Sequence, residues 1–257
     1  MNAIYVWGVA RALGGRVRLR IEDHDRIRSR PQYEQALLED LDWLGFVADE
    51  GRDPLDRQSD RPHRYEAALE QLAGRSSVYV CACSRKEIGS ERYDGRCRDK
   101  GLSREPGTGI RVAIAPGTEC VDDLLLGTIA QDPSEQCGDL LLRDRDGHWT
   151  YQFAVVVDDL DQGITLVIRG NDLESSTGRQ VRLGRMLGQL VPPRYLHHPL
   201  IMSAGGEKLS KAARDTGIRE LRAQGLSAGE VIGRAAAAVG LIPFARPIPA
   251  AEAPSLF

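Results

Sequence analysis

The apolar positions change period twice within the first fifty residues. Residues 2–13 carry them at helical spacing and stop at Gly14-Gly15, a pair suited to closing a helix. Residues 17–21, VRLRI, instead alternate apolar and basic side chains as a half-buried strand does. That pattern ends abruptly at Glu22-Asp23-His24-Asp25. Pro31 opens a second predicted helix over residues 32–44, with Leu37, Leu38, Leu41 and Leu44 inward and Gly45 as its stop. Residues 52–64 are polar and hold Pro54 and Pro62, so a loop is expected before a helix over 65–72.

Further along, 78–83 (VYVCAC) is a strand candidate, followed by a Gly- and Arg-rich stretch to about Pro106. Residues 110–114 and 124–129 read as short strands, and 139–142 begins another after Gly138. The apolar runs 153–157 and 164–168 read as two buried strands, each ending in a polar cluster. Residues 175–190 form a predicted helix with Arg179, Arg182 and Arg185 along one side. A short apolar segment, 198–202, precedes a loop over 205–211; 218–240 is helical and Ala-rich, and the Pro/Ala-rich 243–257 reads as an irregular tail. No internal repeat is present. Alternating helices and buried strands predict an α/β fold.

Composition narrows the class. A chain of 257 residues can bury a large core. A net charge of −3 gives no global attraction to nucleic acid, so any such binding needs a local basic face. No apolar run approaches the roughly twenty residues that span a bilayer, and no signal-peptide pattern opens the chain, so a cytoplasmic protein is expected. Five cysteines, three of them close together, fit a metal site better than a disulfide framework.

Three groups can do chemistry. The acids at 22–25 follow a predicted strand, where α/β sheets bind ligands; the alternative is a solvated turn leading into a helix. Residues 205–211, GGEKLSK, place Lys208, Ser210 and Lys211 on a glycine-hinged loop able to grip phosphate, or form an ordinary surface loop. Cys81 and Cys83, two apart on a strand, share a face, and Cys97 can join them from the following loop. No histidine lies between His63 and His148, which leaves an oxygen or a water as a fourth ligand. Three reduced thiols are the alternative.

RIEDHDRIR followed by DWLGF, then TYQFAVVVDDLDQGITLVIRGNDL, HHPLI and GEKLSK resemble, in that order, the catalytic domain of class I glutamyl-tRNA synthetases. The resemblance covers about residues 3–72 and 139–211, and within that group the chain is most similar to the short glutamyl-queuosine tRNA(Asp) synthetases. Only 46 residues follow Lys211, too few for a full synthetase's helical anticodon-binding region. It implies a Rossmann-type catalytic domain over 1–72 and 138–211, a zinc-bearing insertion over 73–137, and a helical C-terminal region and tail over 212–257. It implies a ligase that activates L-glutamate with ATP and Mg²⁺ and passes it to queuosine on tRNA(Asp), as a monomer. By matching motif positions, Glu22 would receive the amino group of glutamate, Tyr151 and Arg169 would contact the rest of it, and Lys208 and Lys211 would serve the reaction, Lys211 touching ATP. The family's C-x-C…Y-x-x-x-C site implies a structural Zn²⁺ on Cys81, Cys83, Tyr93 and Cys97.

The family's first strand and HIGH-type motif have no counterpart here, so they are expected to be missing, through a start set too far downstream or a degraded gene. The rival readings are a truncated glutamyl-tRNA synthetase charging tRNA(Glu) and a non-catalytic remnant that binds tRNA or amino acid.

Overall fold

The structure, a computed structural model, describes residues 1–24, 29–89, 92–201 and 217–257. Along these the chain runs α1 (Asn2–Ala12), α2 (Pro31–Leu44), α3 (Pro62–Ala73), β1 (Val78–Cys81), α4 (Arg85–Ile88), β2 (Gly109–Val112), β3 (Glu119–Asp123), β4 (Gly127–Gln131), α5 (Pro133–Gln136), β5 (Leu140–Arg143), α6 (Tyr151–Asp161), β6 (Leu166–Gly170), α7 (Thr177–Met186), β7 (Arg194–His198), α8 (Ile218–Ala223) and α9 (Ala228–Ala238).

One sheet has the order β4-β3-β7-β6. β7 pairs in parallel with β6, from Leu166–Arg194 to Gly170–His198, and with β3 at Asp123–Tyr195; β4 closes the other edge as an antiparallel hairpin. The second sheet, β1-β2-β5, is antiparallel. Residues 73–137 therefore divide between the two sheets, β1 and β2 going to one and β3 and β4 to the other. This α/β architecture is the one the alternating pattern predicts.

The largest core joins α3, α6 and α7 to β2 and β5 around Leu72, Leu142, Phe153 and Leu183, all fully buried. A second core binds α1, α2 and α9 through Ile4, Phe46, Ile232 and Ile248. Local signals set the ends of α2: Pro31 fills its first turn, and Gly45 leaves it at φ 83°, a left-handed conformation open to glycine at little cost. Ser227 and Glu230 form a reciprocal capping box at the start of α9.

Several predicted elements are corrected. Residues 153–157 lie in the helix α6, not in a strand. All five side chains are buried, so no polar face remains to reveal the helical period. Residues 17–21 make single parallel bridges, Arg18 to Glu50 and Ile21 to Arg57, rather than a regular strand. The expected strand over 124–129 is interrupted at its start: the Asp123 carboxylate accepts the N–H groups of Leu125 and Leu126 and turns the chain between β3 and β4. The helix expected over 218–240 breaks at Gly225 into α8 and α9. The tail is ordered by packing, with Ile248 and Ala253 buried and the ring of Phe257 against Gly8, where an added Cβ would lie 2.3 Å from it. Leu37, placed inward by spacing, is 48% exposed. Among the described residues no helix is long and apolar enough to cross a membrane.

Candidate functional site

A cleft of about 860 Å³ opens between α1, residues 15–22, α6 and the outer edge of β6. Glu22, Tyr151 and Arg169 all line it, so three side chains far apart in sequence meet in one cavity. Their supports differ. Glu22 is held by Arg20, Nη2 to Oε1 at 3.1 Å. Tyr151 begins α6, and its phenol is shifted up by burial and by the charge of Glu22, against the opposing charge and hydrogen bond of Arg169.

Arg20 and Asp159 also line the cleft, and neither stands out in the sequence as a site residue. Arg20 Nη1 donates to Asp159 Oδ1 at 2.9 Å and to Gln162 Oε1 at 2.7 Å. Burial works against the Arg20 charge, yet Asp159, Glu22 and Asp158 outweigh it and hold the guanidinium above its ordinary value. Asp159 is pushed up to about 6, because desolvation exceeds what Arg20 returns. Asp158, fully buried, accepts from Gln58 Nε2, Arg61 Nε and the Tyr65 hydroxyl, and so ties α6 to α3 and to residues 58–61. The alternation in VRLRI was the one sequence signal for Arg20; the acids after residue 157 were visible, their partners were not.

Arg169 is 7% exposed and sits in a dense polar shell. Nε donates to His197 Nε2 at 3.0 Å, Nη1 to Gln180 Oε1 at 2.6 Å, and Nη2 to Thr177 Oγ1 at 2.9 Å and the Leu173 carbonyl at 3.3 Å. Behind it, His197 Nδ1 lies 2.7 Å from Asp123 Oδ2. Lys208, Lys211 and Asp25 lie outside the described residues.

The cysteine group assembles away from the cleft. Cys81, Cys83 and Cys97 bring their sulfurs within 4.8 Å of one another, and Cys83 and Cys97 approach to 3.5 Å. A tetrahedral zinc with bonds of about 2.3 Å spaces its sulfurs by roughly 3.8 Å, so the cluster has the right size. The Tyr93 hydroxyl is 3.3 Å from Cys81 Sγ and 3.8 Å from Cys83 Sγ, in position to complete the set. Burial opposes ionisation of Cys97, but hydrogen bonds from Tyr93 and the Ala82 backbone bring its thiol down to about 7. Gly138 holds the corner in place: it bridges Tyr93 with φ at 65°, and an added Cβ would lie 1.9 Å from the Tyr93 carbonyl oxygen. Cys137 is buried and donates to the Pro133 carbonyl, and Cys120 is exposed; neither joins the group. A second gathering, Asp144, Asp146 and His148, is a turn in which the Asp144 carboxylate accepts the N–H groups of the other two.

Residues 1–229 match the family described as tRNA synthetases class I (E and Q), catalytic domain. The chain is similar to the glutamyl-Q tRNA(Asp) synthetase of Nitratidesulfovibrio vulgaris, at 41% identity over 92% of this chain and 80% of that one. It is 44% identical to the protein of that name from Burkholderia mallei, over 82% of this chain and 74% of the relative. Among solved structures it resembles a glutamate tRNA ligase from Elizabethkingia meningosepticum in complex with its amino acid, with a TM-score of 0.70 and 27% identity. That match takes in 88% of this chain and 49% of the ligase, so the chain spans about half the length of the solved enzyme.

Proposed function

We propose, from the premise that this chain belongs to the class I tRNA synthetases of the glutamate and glutamine family, that it activates glutamate with ATP and passes the glutamyl group to the queuosine base at the wobble position of tRNA(Asp). The observation that carries this reading is likeness in sequence: relatives named glutamyl-Q tRNA(Asp) synthetase are 41% and 44% identical to this chain, whereas the glutamate tRNA ligase is 27% identical.

The cleft supplies what binding a dicarboxylic amino acid requires. Glu22 receives the ammonium group; Arg169, backed by Tyr151, receives a carboxylate. One oxygen of the glutamate α-carboxylate attacks the α-phosphorus of ATP, forming the mixed anhydride and releasing pyrophosphate. Lys208 and Lys211 neutralise charge on the phosphates, and Mg²⁺ entering with ATP adds to that neutralisation. A queuosine hydroxyl then attacks the activated carbonyl, an ester forms and AMP leaves with the bonding electron pair. No covalent enzyme intermediate is required, so positioning and charge stabilisation supply the acceleration. Cys81, Cys83, Tyr93 and Cys97 would hold a zinc ion whose contribution is structural.

Glutamate-dependent exchange of pyrophosphate into ATP tests the first step, and its absence would favour a non-catalytic binding protein. Glutamylation of tRNA(Asp) with and without queuosine, beside tRNA(Glu), tests the second. The fold shared with the glutamate tRNA ligase supports tRNA(Glu) as the competing acceptor, and charging of that tRNA alone would overturn the proposal.

A further inference from the structure

Arg169, His197 and Asp123 stand side by side on three adjacent strands. Arg169 on β6 is the register partner of His197 on β7, and Asp123 ends β3 beside Tyr195 of β7. Their side chains form one chain of contacts. Asp123 Oδ2 accepts from His197 Nδ1 at 2.7 Å and from the His197 backbone N–H at 3.0 Å, while Oδ1 is taken by the Leu125 and Leu126 N–H groups.

An ionised carboxylate can only accept, so Nδ1 of His197 carries the hydrogen; the arginine Nε can only donate, so Nε2 of His197 is bare. The two partners thus dictate one neutral tautomer. Burial shifts His197 down, against the pull of Asp123 and with the Arg169 charge, in keeping with that neutral form. Asp123 and His197 are fully buried at their side chains and do not line the cleft.

We propose that Asp123 and His197 are positioning residues for substrate recognition: the carboxylate fixes the imidazole tautomer, and the bare Nε2 holds the Arg169 guanidinium in the plane from which it meets a substrate carboxylate. This rests on the reading of Arg169 as a glutamate-binding residue. The arrangement follows the carboxylate–histidine relay that orients ligands elsewhere, with a guanidinium as the group being oriented.

The test compares two amides in the full-length protein. In His197→Gln the amide oxygen occupies the Nε2 position and keeps an acceptor for Arg169. In His197→Asn the amide sits at the Nδ1 position, keeps the link to Asp123 and leaves Arg169 Nε without its acceptor. In glutamate-dependent pyrophosphate exchange, His197→Asn is expected to raise KM for glutamate about 10- to 100-fold, the range seen when an orienting partner is lost, with KM for ATP unchanged. His197→Gln is expected to stay within about threefold of the parent. Asp123→Asn, which permits the wrong tautomer, should resemble His197→Asn. Equal glutamate KM values for the two His197 variants would overturn the proposal, as would KM values for glutamate and ATP that rise together. If neither His197 variant folds, the pair is needed for folding rather than positioning, and the proposal also falls. Arg169→Ala separates the premise: an unchanged glutamate KM there sinks the assignment of Arg169 itself, whereas a raised one with indifferent His197 variants sinks only the relay.

Discussion

Arg20 Nη1 and Asp159 Oδ1 meet at 2.9 Å in the lining of the cleft, a salt bridge in which the acid is the reluctant partner. Asp159 titrates near 6 in the folded protein and near 3.8 when exposed. The folded state therefore holds this proton more tightly, and the stability it contributes is complete below about pH 4 and is lost as pH rises through about 6. The shift corresponds to at most about 3 kcal/mol. Asp159→Asn should remove this fall, so the difference in urea midpoint between variant and parent should grow in the variant's favour from pH 4.5 to 7.5. A pH-independent difference would show that Arg20 keeps Asp159 ionised throughout.

Arg169→Ala should cost glutamate binding about 2–5 kcal/mol, as truncation of one member of a buried charge pair does, because the substrate carboxylate then has no partner. Glutamate titration by calorimetry measures it directly. The same substitution also empties the shell formed by His197, Gln180 and Thr177, so a thermal melt of the variant must accompany the titration.

The purified protein should hold about one zinc ion per chain, read by elemental analysis after expression with zinc supplied. Cys83→Ser should lower that content and the melting temperature together, because binding a structural metal is coupled to folding. No metal in the parent protein would refute the assignment of Cys81, Cys83, Tyr93 and Cys97.

Gly138→Ala is expected to destabilise by more than about 2 kcal/mol: it forces a side chain into a left-handed backbone conformation and against the Tyr93 carbonyl. Urea unfolding reads the loss. Gly127, also at positive φ but with open space around its missing Cβ, is the control for conformational strain alone, and equal losses at both sites would discount the contact with Tyr93.

The parts of this fold that were legible in sequence are those with local causes. The ends of α2 follow from Pro31 and Gly45. That Glu22, Tyr151 and Arg169 line one cleft has no local cause and was to be expected only from the family resemblance. What stayed hidden depends on neighbours chosen by the fold. The run 153–157 looks like a strand because its side chains are apolar and mostly β-branched; burial on every side, not propensity, lets it stand as a helix. Asp158 and Asp161 looked like a polar strand end, yet their partners Arg61 and Arg64 come from about a hundred residues earlier. His197 lay in plain view within HHPLI, but its role exists only because β7 separates β3 from β6.

That strand order also affects how the protein is made. Asp123 waits for a histidine 74 residues further along the chain. At synthesis rates of about 5–20 residues per second, the interval is about 4–15 s, during which the β3–β4 hairpin has left the ribosome and its parallel partner has not. Until residues 181 and 195 have been made, Val121, buried in the finished sheet against Val181 and Tyr195, lacks those partners, and the β3 edge that β7 later occupies is open to any other strand. The site is thus completed late in translation, and nascent-chain chaperones have their clearest reason to engage while that edge of the β3–β4 hairpin is open.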